Sequence, residues 1–228
     1  MITLVLLPGM DGTGDLLGSF IEALGEEFVV KIVRYPASEP FGYSELEAVA
    51  RAALPNEGPF VLLGESFSGP IAISLASSAP PGLIGLILCC TFARNPCPLL
   101  TGLRSLVGVL PVASAPVHVL SSLLLGRFST IKLRAALAHS LAQVKPAALR
   151  ARLASVLSVD VTAKLSAIRV PMLYLRASSD RVVPASASTL IVRLVPSTLI
   201  AELEAPHFLL QAAPVEAARV VRAFVQDT

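Results

Sequence analysis

Phe60-Val61-Leu62-Leu63-Gly64-Glu65-Ser66-Phe67-Ser68-Gly69 is the stretch on which the reading of this chain turns. An uncharged apolar run, bounded by glycine, has the composition of a strand buried on both faces, and the residues after Ser66 read as a helix. A serine at such a junction sits on a sharp turn that forces its backbone into a strained conformation. Residues two positions away must then be small, or they collide with the strand and the helix. Gly64 and Ser68 meet that demand, with Gly69 completing the turn. The segment reads as a nucleophile elbow presenting Ser66, and Ser68, placed two residues further on, is not the nucleophile.

Outward from the elbow, similar apolar runs recur at 2–7, 28–34, 83–89, 171–176 and 198–203. They lack polar alternation, and helix-length segments separate most of them. The expectation is an α/β fold whose doubly wound, mostly parallel sheet has about six strands. Asp15 suits the cap of a helix closing at Gly25, Ser44 the start of one ending near Pro55, and Pro184 the first turn of another; a last helix spans roughly 214–225. Between the fourth and fifth strands only helical patterns occur. Leu133, Leu137, Leu141 and Val144 share one face there, and Leu149, Leu153 and Val156 another. The organisation read from this is a core formed by 1–93 and 166–228 with a helical cap, 94–165, inserted between its halves.

A serine hydroxyl attacks only if a base takes its proton, and the base has to lie at the same edge of the sheet. Of the three histidines, His139 falls inside a helical run and His118 in an apolar part of the cap. His207 follows the last strand. An imidazole in that role needs a carboxylate to hold its tautomer, and Asp180, just after the fifth strand, supplies one. Asp160 is the competing acid, but it precedes no strand and suits a helix N-cap. Glu65 reads as a solvated or hydrogen-bonded neighbour of Ser66, and Asp11, in an Asp-Gly turn pair, as a residue that shapes its loop.

The elbow and the chain order Ser, Asp, His resemble the α/β-hydrolase family, whose pattern is Gly-x-Ser-x-Gly; Ser68 stands here where the second glycine is usual. The likeness covers nearly the whole chain, without the strands that commonly precede the first one. It implies an oxyanion hole made by the backbone N–H of Phe67, next to the nucleophile, and by that of Met10 in the loop after the first strand, where Pro8-Gly9 replaces the family's usual His-Gly. It also implies a serine esterase, similar to carboxylesterases and pimeloyl-carrier methyl ester esterases, that hydrolyses a small-molecule carboxylic ester without cofactor or metal. The run 8–14, Pro-Gly-Met-Asp-Gly-Thr-Gly, also looks like the first loop of plastid phytyl-ester-forming enzymes. Acyl transfer to an alcohol therefore stands as an alternative, and a non-catalytic ligand binder on the same fold is another.

Composition narrows the remaining classes. With 54% hydrophobic and 15% charged residues in 228, the chain is rich enough in apolar side chains for one deep core, which excludes general disorder. The uncharged stretches 66–93 and 105–126 are each interrupted, the first by Pro70, Pro80, Pro81 and Gly82, the second by Pro111, Pro116 and His118, so neither reads as a membrane span. No basic stretch precedes the first apolar run and Pro8-Gly9 ends it early, so a cytoplasmic protein is expected. Cys89, Cys90 and Cys97 have neither metal-ligand nor disulfide-framework spacing and read as reduced structural residues. Between Arg94 and Lys164 nine Lys or Arg accompany one acid, a surplus of +8, while the rest of the chain carries −6. Arg and Lys at 132, 134, 150 and 152 read as a solvated helical face; the sharper reading is a basic cap that steers an acidic carrier protein or rests on an anionic surface. Aromatic residues are too few for nucleic-acid binding.

Overall fold

The computed structural model describes residues 1–99, 102, 107 and 117–228. Pro111 and Pro116, which interrupt the second uncharged stretch, and Arg104 of the basic surplus lie outside them. Six strands form one sheet: β1 Thr3–Leu7, β2 Val29–Ile32, β3 Phe60–Glu65, β4 Leu83–Cys89, β5 Met172–Ala177 and β6 Leu199–Leu203. Their order is β2-β1-β3-β4-β5-β6 and all five pairings are parallel. Each expected strand is present within a few residues. The inner strands β1, β3, β4 and β5 are mostly buried end to end, whereas the edge strands β2 and β6 alternate in exposure, because an edge is covered on fewer sides.

Side-chain alternation sends the two halves of every inner strand into separate cores. Val5, Leu7, Leu62, Leu86, Leu88 and Tyr174 pack with residues of α2 (Tyr43–Ala52) and α3 (Gly69–Ser77). Leu4, Leu6, Val61, Leu63, Ile87 and Leu175 pack on the other side with residues of α1 (Gly18–Leu24). Helix α1 begins behind a 3-10 turn whose cap is Gly14, at φ 76°; Asp15, expected as the cap, instead accepts hydrogen bonds from Arg34 (2.7 Å) and Gln143 (2.8 Å). Nor does Ser44 start α2. Gly42 caps it, with its N–H donating to Glu45 at 3.0 Å, because a glutamate three residues on reaches back to the free amide.

Between β4 and β5 the described residues form α4 (Val117–Leu124), α5 (Ile131–Ala142) and α6 (Pro146–Val156), with no strand among them. The ends of this segment meet: Asn95 N–H donates to Val159 at 2.9 Å and Val161 N–H to Ala93 at 2.8 Å, so the chain leaves and rejoins the core at one place. Asp160, at this neck, accepts from the amide and hydroxyl of Thr162, which lower its pKa; Thr162 opens a 3-10 helix, Thr162–Ala167, so Asp160 serves a helix start as expected, one residue before the N-cap position, which Val161 holds. The C-terminal part adds α7 (Ala185–Leu194), α8 (Leu209–Ala212) and α9 (Pro214–Gln226). Pro184 is the N-cap residue of α7. No helix among the described residues is long and apolar enough to cross a membrane. None of the three cysteines is in a disulfide.

Because every strand runs the same way, the loops after β1, β3, β5 and β6 open on one edge of the sheet. The chain turns to one side after β1 and to the other after β3, so the order of strands reverses between them, the place where open parallel sheets bind their ligands. The turn from β3 into α3 fits tightly against β4. A Cβ on Gly69 would lie 1.9 Å from Thr91 Oγ1, and one on Gly64 2.7 Å from the Cβ of Ala72. Gly69→Ala should therefore lower stability by about 1–3 kcal/mol through overpacking, measured by urea unfolding; an unchanged midpoint would show that Thr91 moves aside freely.

Candidate active site

Ser66 is one of three non-glycine residues with positive φ among the described residues, at 49°, the strained conformation that the strand-to-helix turn demands. Its carbonyl accepts a hydrogen bond from the hydroxyl of Thr91, which follows β4 and is itself tied by its amide (3.0 Å) and its carbonyl (2.6 Å) to the hydroxyl of Tyr174. With the backbone so held, the half-buried Ser66 hydroxyl lies 2.8 Å from Nε2 of His207. Nδ1 of His207 lies 2.9 and 3.0 Å from the two carboxylate oxygens of Asp180. Asp180 Oδ1 also accepts from the amides of Val182 (2.8 Å) and Val183 (2.9 Å), which fix the carboxylate at the end of β5.

The direction of this relay is set by its parts. A carboxylate only accepts, so Nδ1 carries the ring proton, and Nε2 offers a lone pair to the serine O–H. The His207 and Asp180 side chains are nearly withdrawn from water, which strengthens their mutual attraction. Ser66, Asp180 and His207 thus come together although they are 114 and 27 residues apart along the chain. His118 and His139 are exposed on α4 and α5, and Asp160 is committed to Thr162.

The loop after β1 lies against the elbow, and five successive carbonyls in it are bound. That of Pro8 accepts from the Ser68 hydroxyl, that of Gly9 from Gly12 N–H at 3.1 Å, those of Met10 and Asp11 from Arg152 Nη1 at 2.9 and 2.8 Å, and that of Gly12 from Tyr35 N–H at 2.8 Å. Ser68, which stands where the family has glycine, is buried and also bonded to the Tyr35 hydroxyl at 2.7 Å, so the substitution links elbow and loop. Asp11 shapes the loop as expected, accepting from the amide (3.0 Å) and hydroxyl (2.6 Å) of Thr13 and from the Ser140 hydroxyl (2.8 Å). The Phe67 ring stacks on Tyr43 at 4.7 Å, fixing the residue after Ser66.

Two charged residues near the site are buried. Of the two readings of Glu65, solvated or hydrogen-bonded, the second holds: it is buried, accepts from Gln211 at 2.8 Å, and burial pushes its pKa up to about 7 against the lowering effect of that bond. Arg152 does not belong to a solvated face; its side chain has 0% exposure, and beyond Met10 and Asp11 it donates to the Pro36 carbonyl at 2.9 Å. Neither partner set is legible in the sequence, because the partners lie far along the chain, Gln211 and all three Arg152 acceptors more than 100 residues away. The one local signal is a cation on α6 at a position sharing a face with Leu149 and Val156, which are buried.

Comparison with known proteins bears on the family and the fold. The model of the Alpha/beta hydrolase family matches residues 4–220. A phytyl ester synthase of Arabidopsis thaliana, Phytyl ester synthase 1, chloroplastic, is 32% identical over 126 residues; these are 51% of this chain and 17% of that protein, so the chain spans only a small part of the curated relative it matches. Among solved structures, the enol-lactonase of Burkholderia xenovorans LB400 superposes with a TM-score of 0.85 at 15% identity, covering 98% of this chain and 91% of the other. A bromoperoxidase of Bacillus anthracis gives 0.85 at 15%, with the same coverage, and a thermophilic esterase of Thermogutta terrifontis 0.78 at 21%, covering 99% and 89%. At these identities the superpositions establish the fold, and the differing chemistries named for the three show that the fold leaves the reaction open.

The buried Glu65 carries a consequence for pH. Between about 4.5, its ordinary value, and about 7, the folded protein keeps a proton that the unfolded chain releases, so stability falls as pH rises through that window. Glu65→Gln should remove this slope. Denaturant titrations at pH 5 and pH 8 should show wild type losing up to roughly 3 kcal/mol relative to the variant; a constant offset would mean that Glu65 does not titrate there.

Proposed function

The chain belongs to the α/β-hydrolase family, and from that premise we propose that it hydrolyses a carboxylic ester of small to medium acyl group through an acyl-enzyme on Ser66. The observation that carries the proposal is the hydrogen-bonded chain from Ser66 through His207 to Asp180. As the serine oxygen attacks the ester carbonyl, its proton passes to Nε2 of His207, and Asp180 stabilises the imidazolium so formed. The carbonyl oxygen becomes an oxyanion, assigned to the backbone N–H groups of Met10 and Phe67. Collapse of the tetrahedral intermediate breaks the bond to the alcohol, which leaves with the proton from His207. Water then attacks the acyl-enzyme by the same path, releasing the acid and restoring the serine.

Gly9 supports the assignment of Met10. A trans peptide points its C=O and N–H in opposite directions, and the Gly9 carbonyl turns in toward Gly12 N–H, so the Met10 N–H of the same peptide points out of the turn.

Acyl transfer to an alcohol is a second reading on the same residues, favoured by the likeness to the phytyl ester synthase. The two share the acyl-enzyme and differ only in which hydroxyl receives the acyl group, so exclusion of water decides between them. The exposed basic residues of the helical segment, Arg127, Lys132, Arg134 and Lys145, support a further part of the proposal, that the substrate reaches the site on an acidic carrier or at an anionic surface. In that case kcat/KM for a carrier-bound ester should fall with salt more steeply than for a small neutral ester, and equal slopes would remove it.

A fluorophosphonate should label the wild-type protein and not Ser66→Ala. Asp180→Asn should keep its fold and lose kcat by about 10⁴-fold. A wild type that takes no label would end the proposal. With an acyl ester and increasing long-chain alcohol, free acid as sole product supports the hydrolase, and new ester growing with alcohol supports the transferase.

A further inference from the structure

A cation buried without a paired carboxylate is costly, and Arg152 is the largest fully buried side chain among the described residues. Its guanidinium is met by three backbone carbonyls, those of Met10, Asp11 and Pro36, and lies over the Tyr35 ring at 5.8 Å. The Asp11 carboxylate favours the cation through space but makes no ion pair with it, its hydrogen bonds going to Thr13 and Ser140. Nε of Arg152 finds no partner among the described residues. A leucine or methionine would fill the same space without that desolvation, so packing of α6 alone does not account for an arginine here.

Two of its three acceptors lie in the loop after β1. Four of the five loop carbonyls bear on the Met10 amide: Pro8 is held by the elbow, Gly9 by the turn itself, and the next two, Met10 and Asp11, by Arg152 alone. Gly12, at φ 72°, leaves the space, since a Cβ there would lie 2.8 Å from Arg152 Nη1. Without the guanidinium the peptide between Met10 and Asp11 loses its anchor. Rotation about ψ of Met10 then changes the angle between that peptide and the adjoining Gly9–Met10 plane that carries the amide, and only the Gly9–Gly12 turn bond is left to hold that plane.

We propose that Arg152 is a positioning residue for the oxyanion donor at Met10, so that docking of the segment between β4 and β5 completes the site rather than only covering it. This rests on the ester-cleaving reading of Ser66. Arg152 touches no reacting atom; it acts through the carbonyls of Met10 and Asp11. Ser140 of α5 adds a second tether from the same segment, through the Asp11 carboxylate.

The test compares Arg152→Met, which keeps the length and removes every donor, with Arg152→Lys, which reaches fewer carbonyls, using a p-nitrophenyl ester. Loss of a donor made only in the transition state lowers kcat and leaves KM nearly alone. Arg152→Met should lose kcat by about tenfold or more, with KM within about threefold, and Arg152→Lys should recover part of the loss. A boronic acid, which mimics the tetrahedral state at Ser66, should bind more weakly in step with kcat, whereas the carboxylic acid product should bind as before. Equal weakening of both ligands would mean a distorted pocket and overturn the proposal, as would wild-type kcat in a folded Arg152→Met. If Arg152→Met does not fold, Arg152→Lys carries the comparison, and wild-type kcat there overturns it equally. A wild type that labels at Ser66 keeps these failures separate from failure of the underlying reading; one that does not label overturns both.

Discussion

A serine held at φ 49° between a fully buried strand and a helix is the constraint on which the site depends. The conformation is unfavourable for a residue with a side chain, and it persists because its surroundings leave no alternative. Gly64 lies against Ala72, Gly69 against Thr91, and the Thr91 hydroxyl takes the serine carbonyl. Relaxing the turn would require β3, α3 and the end of β4 to separate. Their buried apolar faces oppose that, and the hydroxyl is left standing at the rim of the sheet.

A parallel sheet does the rest of the placing. Strand ends that share a direction share an edge, so residues following β1, β5 and β6 arrive beside the serine without further instruction. Polar burial is concentrated at this edge. Asp11, Thr13, Glu65, Ser68, Thr91, Ser140, Arg152, His207 and Gln211 are all buried in a chain otherwise rich in apolar side chains, and hydrogen bonds join most of them around the elbow and the loop after β1. Such groups weaken a core unless they are satisfied, and a cluster of them in one place marks where stability has been traded for an organised site.

Helix starts show where local reading stops short. Asp15 and Ser44 are residue types that cap helices, yet Gly14 and Gly42 hold those positions; Asp15 is drawn off by Arg34 and Gln143, and the amide at Gly42 is met by Glu45. In each case a competing partner, near or far, outweighs a propensity worth only about 1 kcal/mol.

The elbow, the six strands, and the meeting of Ser66, His207 and Asp180 at one edge of the sheet were legible in the sequence, because strand burial, a strained turn and the order of residues at strand ends are patterns the sequence carries. Tertiary structure alone decided what surrounds them. That Ser68 ties the elbow to Pro8, that Glu65 is buried beneath the loop, and that Arg152 reaches across to hold the carbonyls of Met10 and Asp11 depend on contacts spanning 60 to 146 residues of chain. An arginine reads the same on a solvated helix as in a core; only the folded backbone brings it carbonyls to bind.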